Sequence, residues 1–174
     1  MAFHHVALAT TDAEATHDFY TRSMGFTLAK VEAIPTPNGT GWAKHLFYNT
    51  GDGMIAFWEL HDETLPSPEG GMSEVYGLPL WVNHLAFRAE DNAHLDHCRQ
   101  RWLDNGIHVT EVDHHWCVSI YAVDPNGHLV EWCLDTRALT DQDREQAQVS
   151  RTDPNPQLLQ AKEPKVYKAP RNAS

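Results

Sequence analysis

Three residues stand out for the chemistry they could do together: His5, His84 and Glu131. His5 opens a short apolar run (Val6–Ala9), His84 opens another (Leu85–Phe87), and Glu131 sits between Val130 and Trp132 in a third. Side chains alternate across a strand, so strands would hold two imidazoles and a carboxylate on defined faces. Two neutral imidazoles and one carboxylate leave open positions on a divalent ion, the donor set of non-haem Fe(II) oxygen chemistry. A lone strand histidine is more often an ordinary core or edge residue. What raises these two above that is an internal repeat. His4 competes for the first position; His5 is preferred because it aligns with His84 and because strand neighbours face opposite ways.

The repeat supplies the elements that must position them. Sliding the chain by 79 residues lays His5 on His84, Val6 on Leu85, Ala7 on Ala86 and Asp12 on Asp91. After a two-residue difference in the helix, Gly25 lies on Gly106. The stretch Gly53–Leu60 lies over Gly127–Leu134, which sets Phe57 opposite Glu131. Each half carries the same signals. An apolar strand is followed by an Asp at a helix N-cap position (Asp12, Asp91). A helical stripe follows: Ala15, Phe19 and Tyr20 in one half, Leu95, Cys98 and Trp102 in the other. A Gly then stands where a left-handed C-cap is wanted. Strands are predicted over roughly 26–32, 42–49 and 54–60, and again over 107–112, 116–123 and 128–134, with Asp124-Pro-Asn-Gly127 a strong turn. The fold expected is α+β, two paired βαβββ modules that form one cleft with His5 and His84 on facing walls. Module one spans 1–60, a Pro/Gly-rich linker 61–80, and module two 81–136. Residues 137–174 form a polar extension with a short helix near 139–149 and then an extended tail.

Composition narrows the partners. The 174 residues carry 13 Lys+Arg against 24 Asp+Glu, a formal net charge of −11, which argues against nucleic acid and anionic membrane surfaces. No apolar run approaches the ~20 residues of a membrane helix, and no signal peptide is read at the N-terminus. Three cysteines cannot all pair within one chain, which fits a reducing, cytoplasmic setting. They read as small core hydrophobes rather than nucleophiles.

The modules resemble those of the vicinal oxygen chelate superfamily, which includes glyoxalase I, methylmalonyl-CoA epimerase, fosfomycin-resistance transferases and type I extradiol catechol dioxygenases. The resemblance covers roughly residues 3–135. It rests on the His-Val of strand one with Asp12 and Phe19-Tyr20, on Asn83-His-Leu85, and on Asp124-Pro-Asn-Gly-His-Leu-Val-Glu131. It implies that His5, His84 and Glu131 are metal ligands. Glyoxalase I and the epimerase use a fourth ligand on the last strand of module one. The aligned residue here, Phe57, cannot bind metal, and Glu59 is out of register, so three-ligand members fit better. Val112, His114, Ile120, Tyr121, Asp124, Pro125, Gly127 and Glu131 also fill, in order, the type I extradiol pattern.

That likeness implies an Fe(II) enzyme that cleaves a small aromatic diol with O₂. Two adjacent hydroxyls chelate the ion, and a histidine exchanges the phenolic proton near its own pKa. His114 or His115, with Tyr121, would fill the acid–base and hydrogen-bonding roles. The pattern points to His114; strand parity counted back from Tyr121 points to His115. His45, which shares the parity of Phe47, is either a further acid–base or a lining residue. Trp42, Phe47 and Phe57 would form an apolar wall for a ring. A fosfomycin-type transferase, with Mn²⁺ and a thiol, is the alternative enzyme, although a phosphonate would want more cations than Lys44 and Arg88. A non-catalytic small-molecule binder of the same fold is the third reading. Exposed sheet edges and the tail leave room for a homodimer.

Overall fold

The computed structural model describes residues 3–160 and 162–170. The first half runs β1 (His5–Thr10), α1 (Ala13–Asp18) with a π-helical turn at Phe19–Ser23, β2 (Thr27–Pro35), β3 (Trp42–Asn49) and β4 (Met54–His61). The second half repeats it as β5 (His84–Arg88), α2 (Asn92–Asp104), β6 (Val109–Asp113), β7 (Cys117–Val123) and β8 (Leu129–Asp135). Helix α3 (Asp141–Ser150) and strand β9 (Lys165–Tyr167) complete it. The expected punctuation is in place. Asp12 accepts from Ala15 N at 2.9 Å and Asp91 from His94 N at 2.8 Å, satisfying N–H groups that a helix start leaves free. Gly25 and Gly106 follow the helices at φ near +80°, a conformation that favours glycine.

The strand orders are β1-β4-β3-β2 and β5-β8-β7-β6-β9, with β1 parallel to β4, β5 parallel to β8 and the other pairs antiparallel. This is the α+β architecture of two βαβββ modules. Among the described residues no helix is long and apolar enough to cross a membrane.

One buried cluster draws on both modules. Tyr48, Ile55 and Phe57 come from the first sheet, Ile120, Val130 and Trp132 from the second, and Tyr20, Cys98 and Trp102 from the helical layer between. Phe26 lies against Phe87 and Trp132, with ring centroids 5.0 and 5.9 Å away. The buried Tyr20 hydroxyl donates to Asp124 at 3.0 Å, tying the first helical segment to the turn before β8. Arg101 on α2 donates to Met24 O at 2.9 Å, so the two helical segments also meet.

This packing corrects one expectation. Both sheets turn their helix-bearing faces inward onto a shared core, so their other faces, with His5 and His84, point away from it. The two histidines are not on facing walls of one cavity within a single chain.

Two smaller corrections follow from register. β1 sets Ala7 beside Ala56 just as β5 sets Ala86 beside Glu131. The residue equivalent to Glu131 is therefore Ala56, because the turn before β8 carries one extra residue, His128. Phe57 faces the core, fully buried, 4.7 Å from the Tyr20 ring. Trp42 shares that parity and stacks on His61 at 3.8 Å. Neither lines the His5 face; Phe47 does, joined by Trp58. In the extension, α3 buries no residue, and β9 pairs with β6, a strand that its short polar sequence does not announce.

Candidate metal and acid–base site

The second sheet brings four of the predicted residues together. Tyr121 on β7 is the antiparallel partner of Glu131 on β8, and Ala86 is Glu131's parallel neighbour on β5. Glu131 is buried, and its Oε2 lies 3.1 Å from Nε2 of His84. The other nitrogen of His84, Nδ1–H, donates to Trp81 O at 3.1 Å. With the proton on Nδ1, Nε2 of the neutral ring carries the lone pair, the tautomer a metal ligand needs. Trp81 is a partner that sequence reasoning missed, because a backbone carbonyl carries no side-chain signature.

His114, not His115, completes the group. Its Nε2 lies 2.9 Å from the Tyr121 hydroxyl. The hairpin is closed by His114 N donating to Cys117 O, so the chain reverses at His115 and Trp116. Parity must be counted along β6, where Thr110 and Val112 pair with Tyr121 and Ser119, and His114 continues that face. His115 occupies the reversal itself, at φ +71°, and its Nε2–H donates to Gln160 O at 2.9 Å. Counting back from Tyr121 overlooked the turn.

Tyr121 is half-buried beside an anion. Burial first, and then the Glu131 carboxylate, push its phenol well above the ordinary tyrosine range. The hydroxyl stays protonated at neutral pH and can donate. Ser119, buried on the same face, has no hydrogen-bond partner for its Oγ among the described residues and is a further polar group that strand parity alone would have found. The cysteines behave as hydrophobes: burial pushes the Cys98 thiol up to about 11 and that of Cys117 up to about 12.

His5 stands on the first sheet. It is exposed, with its Nδ1 2.8 Å from that of His4 and its ring 5.5 Å from Phe47 and 6.0 Å from His45. His45 is buried, stacked on Trp58 at 3.7 Å, and its Nε2 has no partner among the described residues. Burial, then His5, hold its pKa below the ordinary histidine value. Among the described residues no three His, Cys, Asp or Glu side chains converge as a metal-holding group. The donors that fit an ion within one chain are thus His84 and Glu131; the third expected donor waits on the equivalent outward face of the other sheet.

Paired βαβββ modules, with a histidine and a glutamate on adjacent strands of the second, are the features that the comparisons bear on. Residues 2–132 match the Glyoxalase/Bleomycin resistance protein/Dioxygenase superfamily, and the chain belongs to that family. Among solved structures it is similar to SMU.1112c, at 27% identity and TM-score 0.58 over 76% of this chain and 98% of that one. It shares its fold with a glyoxylase/bleomycin resistance protein/dioxygenase domain from Frankia sp. EAN1pec (19% identity, TM-score 0.60, 80% and 95% covered). A lactoylglutathione lyase from Agrobacterium tumefaciens shares it too (22% identity, TM-score 0.52, 76% and 92% covered). No curated protein matches the chain.

Proposed function

We propose that the protein is a metal-dependent, extradiol-type dioxygenase that opens the ring of a small aromatic diol, and that a second copy of the chain completes its metal site. The observation that carries the chemistry is the His114–Tyr121 hydrogen bond of 2.9 Å, on the face where His84 and Glu131 lie 3.1 Å apart. Ala56, at the position equivalent to Glu131, offers no fourth ligand for isomerase chemistry of the glyoxalase I type.

His84 and Glu131 would hold the ion, with His5 of a second copy as third donor. Fe(II) is the ion that the donor set favours, with Mn²⁺ acceptable to the same groups. When bound, the ion supplies a Lewis-acidic centre with open positions for two adjacent oxygens and for O₂. The remaining work belongs to the chain. Tyr121 would take the diol's proton at its oxygen as its own hydroxyl proton passes to Nε2 of His114, and the reverse transfer would return it. Trp58, Phe47 and Ala56 on the first sheet present an apolar wall.

The two outward faces support dimerisation. His5 is exposed on one, and Trp81 and Tyr76, three and eight residues before His84, are 70% and 77% exposed. A two-fold pairing sets the His5 face of one copy against the His84 face of the other, twice.

The test is reconstitution under anaerobic conditions with Fe(II), followed by O₂ uptake on a panel of catechols. Uptake that depends on the diol, with a yellow ring-opened product, is expected. Manganese-dependent consumption of a thiol with an epoxide, and no O₂ uptake, would instead establish the transferase. Absence of bound metal in the dimer would leave a binding protein.

A further inference from the structure

The family match ends at residue 132, and the chain continues for about forty residues more. That continuation does not trail away from the site. We propose that residue 160 and residues 162–169 form a positioning strap, which clamps the β6–β7 hairpin and so holds His114 against Tyr121. The inference rests on His114 as the acid–base of the proposed reaction.

The contacts run along one side of β6 from base to tip. At the base, Ala169 N donates to Nδ1 of His108 at 2.9 Å. In the middle, β9 pairs with β6 through Val109–Tyr167, Thr110–Val166 and Glu111–Lys165. Glu111 accepts from Lys165 at 2.7 Å, Tyr167 at 3.2 Å and Arg99 at 2.8 Å, which joins strap, strand and helix α2 through one carboxylate. The Arg99 guanidinium also lies over the Tyr167 ring at 4.7 Å. At the tip, Lys162 donates to Oδ2 of Asp113 at 2.6 Å, and Gln160 O accepts from His115.

Asp113 is where the strap reaches the turn. Its other oxygen, Oδ1, accepts from His115 N at 2.7 Å. His115 is the one non-glycine residue at positive φ among the described residues, a conformation unfavourable for an L side chain. Two groups hold it there: Asp113, itself gripped by Lys162, and the backbone of Gln160. His114 lies between Asp113 and His115, so its direction is fixed on both sides by residues the strap holds. A tail that only covered the β6 edge would need the ladder at 109–111 and nothing at the tip.

The ammonium groups of Lys162 and Lys165 are exposed and their pairs are screened by water, so the clamp works through their sum. The test therefore removes two together in the full chain, Lys162→Met with Lys165→Met, which keeps the aliphatic stems. Amide exchange, read residue by residue, should rise about tenfold at 113–117, with β1–β4 unchanged. The ring ¹⁵N signals of His114 should move toward those of a solvated imidazole. Turnover of a catechol should fall about tenfold with KM within about twofold, and Lys162→Arg with Lys165→Arg should restore both. Exchange that rises only at 109–111, or an unmoved His114 signal, would overturn the proposal. If the wild-type protein does not turn over catechols, the dioxygenase reading fails, while exchange and the His114 signal still decide the strap.

Discussion

Mixing two inactive chains provides the sharpest test of where the third metal ligand comes from. His5→Ala removes an exposed side chain on the first sheet, so its cost to folding should lie within about 0.5 kcal/mol. Glu131→Ala removes a buried carboxylate whose companions are His84 and Tyr121. Each variant alone should bind no metal at the site. In a two-fold dimer each site takes His5 from one copy and His84 with Glu131 from the other. A dimer with one chain of each kind then has one site missing both groups and one site intact. Random association makes half the dimers mixed, and each keeps one of its two sites, so about a quarter of wild-type capacity should return. The assay is metal content after co-expression and dialysis, alongside diol-dependent O₂ uptake. If both variants alone are empty and the mixture is empty too, ligands are not shared between copies and the reasoning is refuted. Metal retained by the His5→Ala variant would remove His5 from the ligand set.

Other outcomes follow from the same geometry. Tyr121→Phe should keep the metal and lower turnover, by about the 10²–10⁴ ascribed to a positioned proton donor; wild-type turnover would deny it that role. His114→Gln should do the same, whereas His115→Gln should act only through the hairpin, a difference that steady-state kinetics will show. Tyr20→Phe deletes a buried hydrogen bond to the Asp124 carboxylate and should destabilise the fold by about 1.5–3 kcal/mol in urea unfolding. His45 has a pKa lowered by burial and by His5, so its neutral form is favoured in the folded state and the unfolded chain binds the proton first. Its contribution to stability is complete above the unfolded value near pH 6.5 and is lost as pH falls through the folded value. His45→Leu should flatten the fall in Tm of the metal-free protein over that acid range.

The repeat at a 79-residue offset made the local elements legible. Asp caps, glycine stops and period-two apolar runs are short-range signals, and β3, α2 and β7 lie within a residue or two of where those signals put them. That His84, Glu131 and Tyr121 serve one site was implied by the family resemblance, whereas parity within a strand does not say which strands pair. What parity cannot supply is the number of residues a turn consumes. His128 shifted the equivalence from Phe57 to Ala56, and the reversal at His115 moved the contact to His114. The pairing of β9 with β6 lay beyond reach as well, since its partner is more than fifty residues away and its three residues carry no pattern of their own.

The direction in which the two sheets face belongs to the tertiary structure alone. An alternating strand states that it has an apolar and a polar face, not what the apolar face will meet. Here Phe26 against Phe87 and Trp132, and Tyr20 reaching Asp124, draw both helix-bearing faces onto one core. Burying those aromatic surfaces together leaves the His5 and His84 faces turned outward, for a partner to close. The donor types were written in the chain; their distance from one another was decided by which surfaces exclude water most completely.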